Sequence, residues 1–257
     1  RVAAQTAKQV VMQKLREAER EIVFEDYSDK VGEIASGIIQ KVSKNVIIVN
    51  LGRVEAIMPR SEQVPSEKYQ MNQRIKVLIT QVNQTPKGPQ VIVSRSSNDF
   101  IKRLFEQQIP EVYDGIVEIK GIIREAGSKT KVAVMSHDED VEPLGACVGR
   151  AGQRINSIMD ELVNEKIDIV IWNSDVKEYI KAALSPASVV DITLDEEEKS
   201  AQVIVPESEL SLAIGKSGQN ARMAARLVGC KIDIKGDGAS NNEEAEEEEE
   251  EETSDEE

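Results

Sequence analysis

The chain has 257 residues, with 47 Asp and Glu against 32 Lys and Arg, 40% apolar and only 3% aromatic content. That length admits two to four small domains, and no apolar run approaches the roughly 20 residues of a membrane-spanning helix. With no secretory signal peptide legible, the expected location is the cytoplasm and no membrane partner is expected. Cys147, Cys230 and the lone His137 make neither a disulfide framework nor a metal-ligand pattern, so neither metal nor cofactor is expected.

The formal charge of −15 is unevenly placed. Residues 243–257 hold twelve acidic side chains and no basic ones, and without them the charge is −3. Such a run can bury nothing, and residues 237–257 are expected to form a disordered acidic tail. By contrast, residues 215–236 carry Lys216, Arg222, Arg226, Lys231 and Lys235 against Asp233 alone, a local positive field in an acidic chain.

The first 24 residues have the period of one helix, with Ala4, Ala7, Val11, Leu15, Ala18 and Ile22 on one face. That stripe is expected either to pack on a neighbouring domain or to serve as a free partner helix. The chain begins with Arg1 rather than Met, so an upstream portion is expected. Residues 32–95 change character. Short β-type runs at 37–39, 46–49, 54–58, 75–79 and 91–93 are punctuated by Asn50-Leu51-Gly52, Pro59, Pro65 and Pro86-Lys87-Gly88-Pro89. Five short strands in this length predict a small closed barrel of the OB type. Tyr69 is its one aromatic residue, so the barrel reads equally as a single-strand binding surface and as scaffold.

From Asp99 onward the chain repeats itself. Asp99 opens an apolar-periodic stretch with Ile101, Leu104 and Phe105 that stops at Pro110, and Asp175 opens another with Val176, Tyr179, Ile180, Ala183 and Leu184 that stops at Pro186. Each reads as a helix with an Asp N-cap and a Pro stop. Strand-like runs follow at 116–123 and 131–135, then at 189–194 and 201–205. Next come Gly149-Arg150-Ala151-Gly152 and, 66 residues later, Gly215-Lys216-Ser217-Gly218. Helical patterns with Ile155, Ile158, Met159 and Leu162, and with Ala221, Ala224, Ala225 and Val228, lead into Lys166-Ile167-Asp168-Ile169 and Lys231-Ile232-Asp233-Ile234. Each copy therefore reads α-β-β-α-α-β, with the glycines between two helices. The first copy is ten residues longer between Pro and Gly-x-x-Gly, which predicts a longer connection. Junctions of two or three residues predict a nearly fixed array of domains.

A single Gly-x-x-Gly is an ordinary turn. Two in one context, each with a basic second residue, point to a nucleic-acid clamp. Glycines let the backbone approach a phosphate, the helix start favours an anion, and Arg150 or Lys216 adds charge. In the first copy Arg150, Arg154 and Lys166 are offset by Asp160, Glu161 and Glu165, so its charge is confined to the loop. A nucleotide-binding P-loop needs Gly at position 210, which is Leu210. His137 has no Cys or Ser partner nearby, so no catalytic residue and no enzyme are predicted.

Pro143–Ile155, followed by Asn164–Trp172, closely resembles the first KH domain of the bacterial NusA family of transcription termination/antitermination factors. Leu212–Asn220 resembles the family's second KH domain, residues 32–95 its S1 domain, and residues 1–24 the last helix of its polymerase-binding domain. The resemblance implies an α+β multidomain chain. Residues 1–31 would be a terminal helix and linker, 32–97 a five-stranded S1 (OB-type) β-barrel, 98–173 and 174–236 two tandem type II KH domains, and 237–257 the tail. It further implies binding of single-stranded RNA, the nascent transcript, together with RNA polymerase and other elongation factors, in pausing, termination and antitermination. The matching RNA-binding positions are Gly149, Arg150, Ala151, Gly152, Gln153, Arg154, Gly215, Lys216, Ser217, Gly218, Gln219, Asn220 and Arg222. KH and S1 modules also serve in ribosome assembly, mRNA decay and ribonuclease regulation, and those readings stay open here.

Overall fold

The computed structural model describes residues 1–163 and 165–238. Nearly all of the segment expected to be an acidic tail lies outside the described residues. The described residues group into two compact units. One is Arg1–Gln107 with Leu162 and Val163, and the other is Gln108–Glu161 with the segment from Glu165 onward.

The first unit opens with helix α1, Val2–Ser28, which ends four residues beyond the 24 its apolar period predicts. The stripe from Ala4 to Ile22 is exposed. The packed residues are Val23 and Tyr27, one turn further on, which join the core of the barrel. Tyr27 is buried and its hydroxyl donates to the Leu51 carbonyl at 3.2 Å.

The barrel strands are β1 (Ile34–Val42), β2 (Val46–Asn50), β3 (Glu55–Pro59), β4 (Arg74–Thr85) and β5 (Gly88–Ser94), closed in the order β1-β2-β3-β5-β4. The β3–β5 pair is parallel and the other pairs are antiparallel. Alternate residues Ile47, Val49, Ala56, Met58, Val77, Ile79, Val91 and Val93 fill the interior, as period-2 patterning requires. Strand β4 runs six residues beyond its apolar run, because polar Gln81, Asn83 and Gln84 still pair with β5. Gly37 permits closure: a Cβ there would meet Val49 Cγ1 at 2.5 Å and the Asn50 carbonyl at 2.7 Å. Below the barrel Arg95 makes a buried two-pronged pair with Glu67, at 2.7 and 2.6 Å, and donates to the Lys76 carbonyl. Burial there raises the Tyr69 phenol above its ordinary range, with the Glu67 charge adding to the effect.

Helix α2, Asn98–Gln108, buries Phe100, Ile101, Leu104 and Phe105. Its predicted cap is corrected: Asp99 lies inside the first turn, and Ser97 Oγ accepts from the Asp99 amide at 3.1 Å. A hydroxyl two residues upstream satisfies the orphan amide as well as a carboxylate does.

The second unit holds two sheets of one design. After α3 (Pro110–Tyr113) come β6 (Val117–Glu125), β7 (Lys129–Ser136), α4 (Pro143–Val148), α5 (Gln153–Glu161) and β8 (Lys166–Ile171). The second copy comprises α6 (Val176–Leu184), β9 (Asp191–Asp195), β10 (Ser200–Val205), α7 (Leu210–Ile214), α8 (Gln219–Val228) and β11 (Lys231–Gly236). In both, an antiparallel hairpin takes a third strand in parallel, giving β6-β7-β8 and β9-β10-β11. Asp175 caps α6 as predicted, accepting from the Lys177 and Glu178 amides. The extra length of the first copy enters the elements more than a connection: β6 and β7 have nine and eight residues against five and six, and α3 is an added turn.

One apolar cluster spans both copies. Ala133 and Val170 of the first sheet pack with Tyr179, Ile180, Leu184, Val203 and Ala224 of the second copy. Trp172 meets Tyr179 edge to face at 6.5 Å. Beneath the first sheet Glu165 is buried and accepts from Arg124 Nε and Nη2 at 2.8 and 2.9 Å, from the Gly127 amide at 2.8 Å, and from Thr130 Oγ1. Glu165 therefore does not offset the charge of the first loop; its partner is Arg124.

Candidate nucleic-acid interface

Each glycine loop leaves a short helix and enters a longer one. Glu142 caps α4, accepting from the Leu144 amide at 3.0 Å and from the Gly145 amide. The chain then turns at Gly149 (φ 74°, ψ 176°) and Ala151 (φ 53°, ψ 29°). In the second copy Gly215 has φ 76° and ψ 171°, and Ser217 φ 53° and ψ 30°. Both loops close with the fourth-residue amide on the first-residue carbonyl at 3.1 Å. The two loops follow the same backbone path.

Gly149 and Gly215 occupy a region of backbone space open essentially to glycine. At Gly215 a Cβ would also meet the Asn220 amide nitrogen at 2.8 Å, whereas at Gly149 the obstacle is the stem of the Arg154 side chain, with Cγ at 2.7 Å and Cβ at 3.0 Å.

The charged second residues lie at the surface. Arg150 and Lys216 are exposed, and neither is engaged by another side chain among the described residues. Ala151 and Ser217 are exposed beside them, and so is Gln153. The remaining predicted contacts also have partners inside the protein. Arg154 donates from Nη1 to Glu111 at 2.8 Å and to the Ala146 carbonyl at 2.7 Å. Asn220, at the equivalent position 66 residues later, is buried and donates to the carbonyls of Ala213 and Leu184 at 3.0 and 3.2 Å. Both side chains tie down the helix before their loop; Asn220 is buried, whereas the Arg154 side chain keeps 32% of its surface exposed.

Gln219 and Arg222 are held by the first copy. Gln219 Nε2 donates to Glu125 at 2.7 Å and to Ser128 Oγ at 2.9 Å. Arg222 donates from Nε and Nη2 to Glu125 at 3.3 and 2.9 Å, and from Nη1 to the Ser217 carbonyl at 3.2 Å. These bonds, Gln219's first and then Arg222's, hold the Glu125 carboxyl below the usual range. Sequence reasoning missed Glu125, Ser128 and Glu111. No local pattern could have found Glu125, which lies 94 residues from Gln219.

Three family models match. They are the S1 RNA binding domain over residues 28–94, the NusA-like first KH domain over 95–172, and the NusA-like second KH domain over 176–242. A transcription termination/antitermination protein NusA from Mycobacterium bovis is 42% identical over 246 residues, covering 92% of this chain and 71% of its own. The chain belongs to the NusA family. The NusA proteins of Halalkalibacterium halodurans and Bacillus subtilis are each 54% identical over 235 residues, or 91% of this chain. The chain spans 62% and 63% of those two NusA relatives. Both glycine loops lie inside the NusA-like KH matches, and the closed barrel coincides with the S1 match.

Proposed function

We propose that this chain binds single-stranded RNA through its two glycine loops and acts, as a binding protein rather than an enzyme, on transcription termination and antitermination. The working units are an S1 domain at 32–97 and KH domains at 98–173 and 174–236. The nascent transcript is the ligand, and RNA polymerase with other elongation factors the protein partners. The site of action is the cytoplasm; among the described residues no helix is long and apolar enough to cross a membrane.

The observation that carries this reading is the shared loop path with an unengaged cation at its second position. A loop of this shape lets phosphate oxygens approach the backbone, and Arg150 and Lys216 supply charge. Gly149, Ala151, Gly152 and Gln153 in one copy, and Gly215, Ser217 and Gly218 in the other, form the contact surface. Arg154 and Asn220 hold it from behind. Base identity is read by the groove beside each loop rather than by the phosphate contacts.

The test replaces Arg150-Ala151 and Lys216-Ser217 with Asp-Asp pairs. All four residues are exposed, so circular dichroism should be unchanged while RNA binding is lost. Each single-loop variant should lose much of the affinity, and the second-loop variant more. Unchanged RNA affinity in the double-loop variant would overturn the reading.

A further inference from the structure

We propose that Glu125 is a positioning residue for RNA: from the β6–β7 hairpin of the first copy it holds Gln219 and Arg222, and so sets the second glycine loop in register with the first for one strand. This inference rests on the reading that both loops bind RNA.

The connection is continuous in space. Glu125 ends β6. Its carboxylate accepts from Gln219 and Arg222, and the remaining arm of Arg222 donates to the carbonyl of Ser217 inside the loop. Ser128, at the start of the same hairpin turn's return, takes a second bond from Gln219. The hairpin of one copy thus reaches the loop backbone of the other through two side chains.

Loop formation does not require this staple. In the first copy the equivalent positions are Gln153 and Asn156, and neither makes a side-chain hydrogen bond among the described residues. Yet the first loop has the same φ and ψ as the second. The staple therefore sets where the second loop lies, not its shape. The apolar seam, with Leu227 against Gly121 and the shared cluster around Ala133 and Val170, brings the copies together. The hydrophobic driving force itself is non-directional. A carboxylate gripped by a planar guanidinium and an amide adds direction. Glu125 and Arg222 are 27% and 50% exposed, which puts them at the rim of the seam rather than in its core. Two clamps at fixed separation raise the effective concentration of the second for a strand held by the first.

The test is a cycle of variants binding an unstructured oligoribonucleotide of about a dozen nucleotides, long enough for two four-nucleotide clamps. Glu125→Gln is placed in the chain with native loops and in a chain whose first loop carries Arg150→Asp and Ala151→Asp. With native loops, Glu125→Gln should weaken binding about three- to fivefold, as loss of a rim ion pair would. With the first loop disabled, that loss should vanish, because there is no second grip to be in register with. The comparison between backgrounds cancels the general gain in RNA affinity from removing a negative charge. Ser128→Ala, which removes only one bond of Gln219, should show a smaller loss with the same dependence on the first loop. An equal change in both backgrounds, or a greater loss with the first loop disabled, would overturn the role of Glu125 alone. If disabling the first loop leaves affinity untouched, the RNA reading falls, and the role of Glu125 with it.

Discussion

The second glycine loop is the more tightly specified at the level of single residues. Gly215→Ala meets both an excluded φ/ψ region and the backbone of Asn220, whereas Gly149→Ala meets the same region and the side-chain stem of Arg154, with no backbone atom among the nearest neighbours. Gly218 has φ 73° and open space where a Cβ would go. Denaturant unfolding should rank the losses Gly215→Ala, Gly149→Ala, Gly218→Ala, with the first about 3 kcal/mol and the last about 1 kcal/mol. A larger loss at Gly218 than at Gly215 would contradict the loop geometry. Cys147 offers a second test. Burial pushes its thiol up to about 12. A folded value above the unfolded one means stability that is complete below the unfolded pKa and falls as pH rises from there toward about 12. At pH 8 Cys147 should resist a thiol reagent until the chain is unfolded.

At the scale of elements, the buried Arg124–Glu165 pair is costly to break. The side chains are 1% and 0% exposed, and Glu165 serves four donors. Removing one member leaves a buried charge alone, so Glu165→Ala should cost about 3–5 kcal/mol. A loss under 1 kcal/mol would contradict that burial. Most elements were legible because their signals are local: the apolar period of α6 and its Asp175 cap, the alternation of the barrel strands, and the repeated Lys-Ile-Asp-Ile of β8 and β11. The misread ones depend on partners far along the chain. Glu165 looked like a surface acid beside the first loop, because its partner Arg124 is 41 residues away. Strand β4 continues through Gln81, Asn83 and Gln84 because β5 pairs with them, which their polarity conceals. The Asp99 cap was misplaced since Ser97 is an equally good acceptor.

For the molecule as a whole, the duplication was written in the sequence, but its consequence was not. Two loops of one backbone path follow from two copies of one motif. That Gln219 and Arg222 bond to the first copy follows only from the packing of α8 against the first sheet. Residue types at matching positions locate two loops of one path, while the side chains of Arg154, Gln219, Asn220 and Arg222 also make hydrogen bonds within the protein. The most direct measurement of the central claim follows the backbone amides of Gly149, Gly152, Gly215 and Gly218 by NMR while a single-stranded oligoribonucleotide is added. All four should shift together and saturate at one RNA per chain. Changes confined to one loop, or saturation at two RNAs per chain, would contradict a single strand held by both.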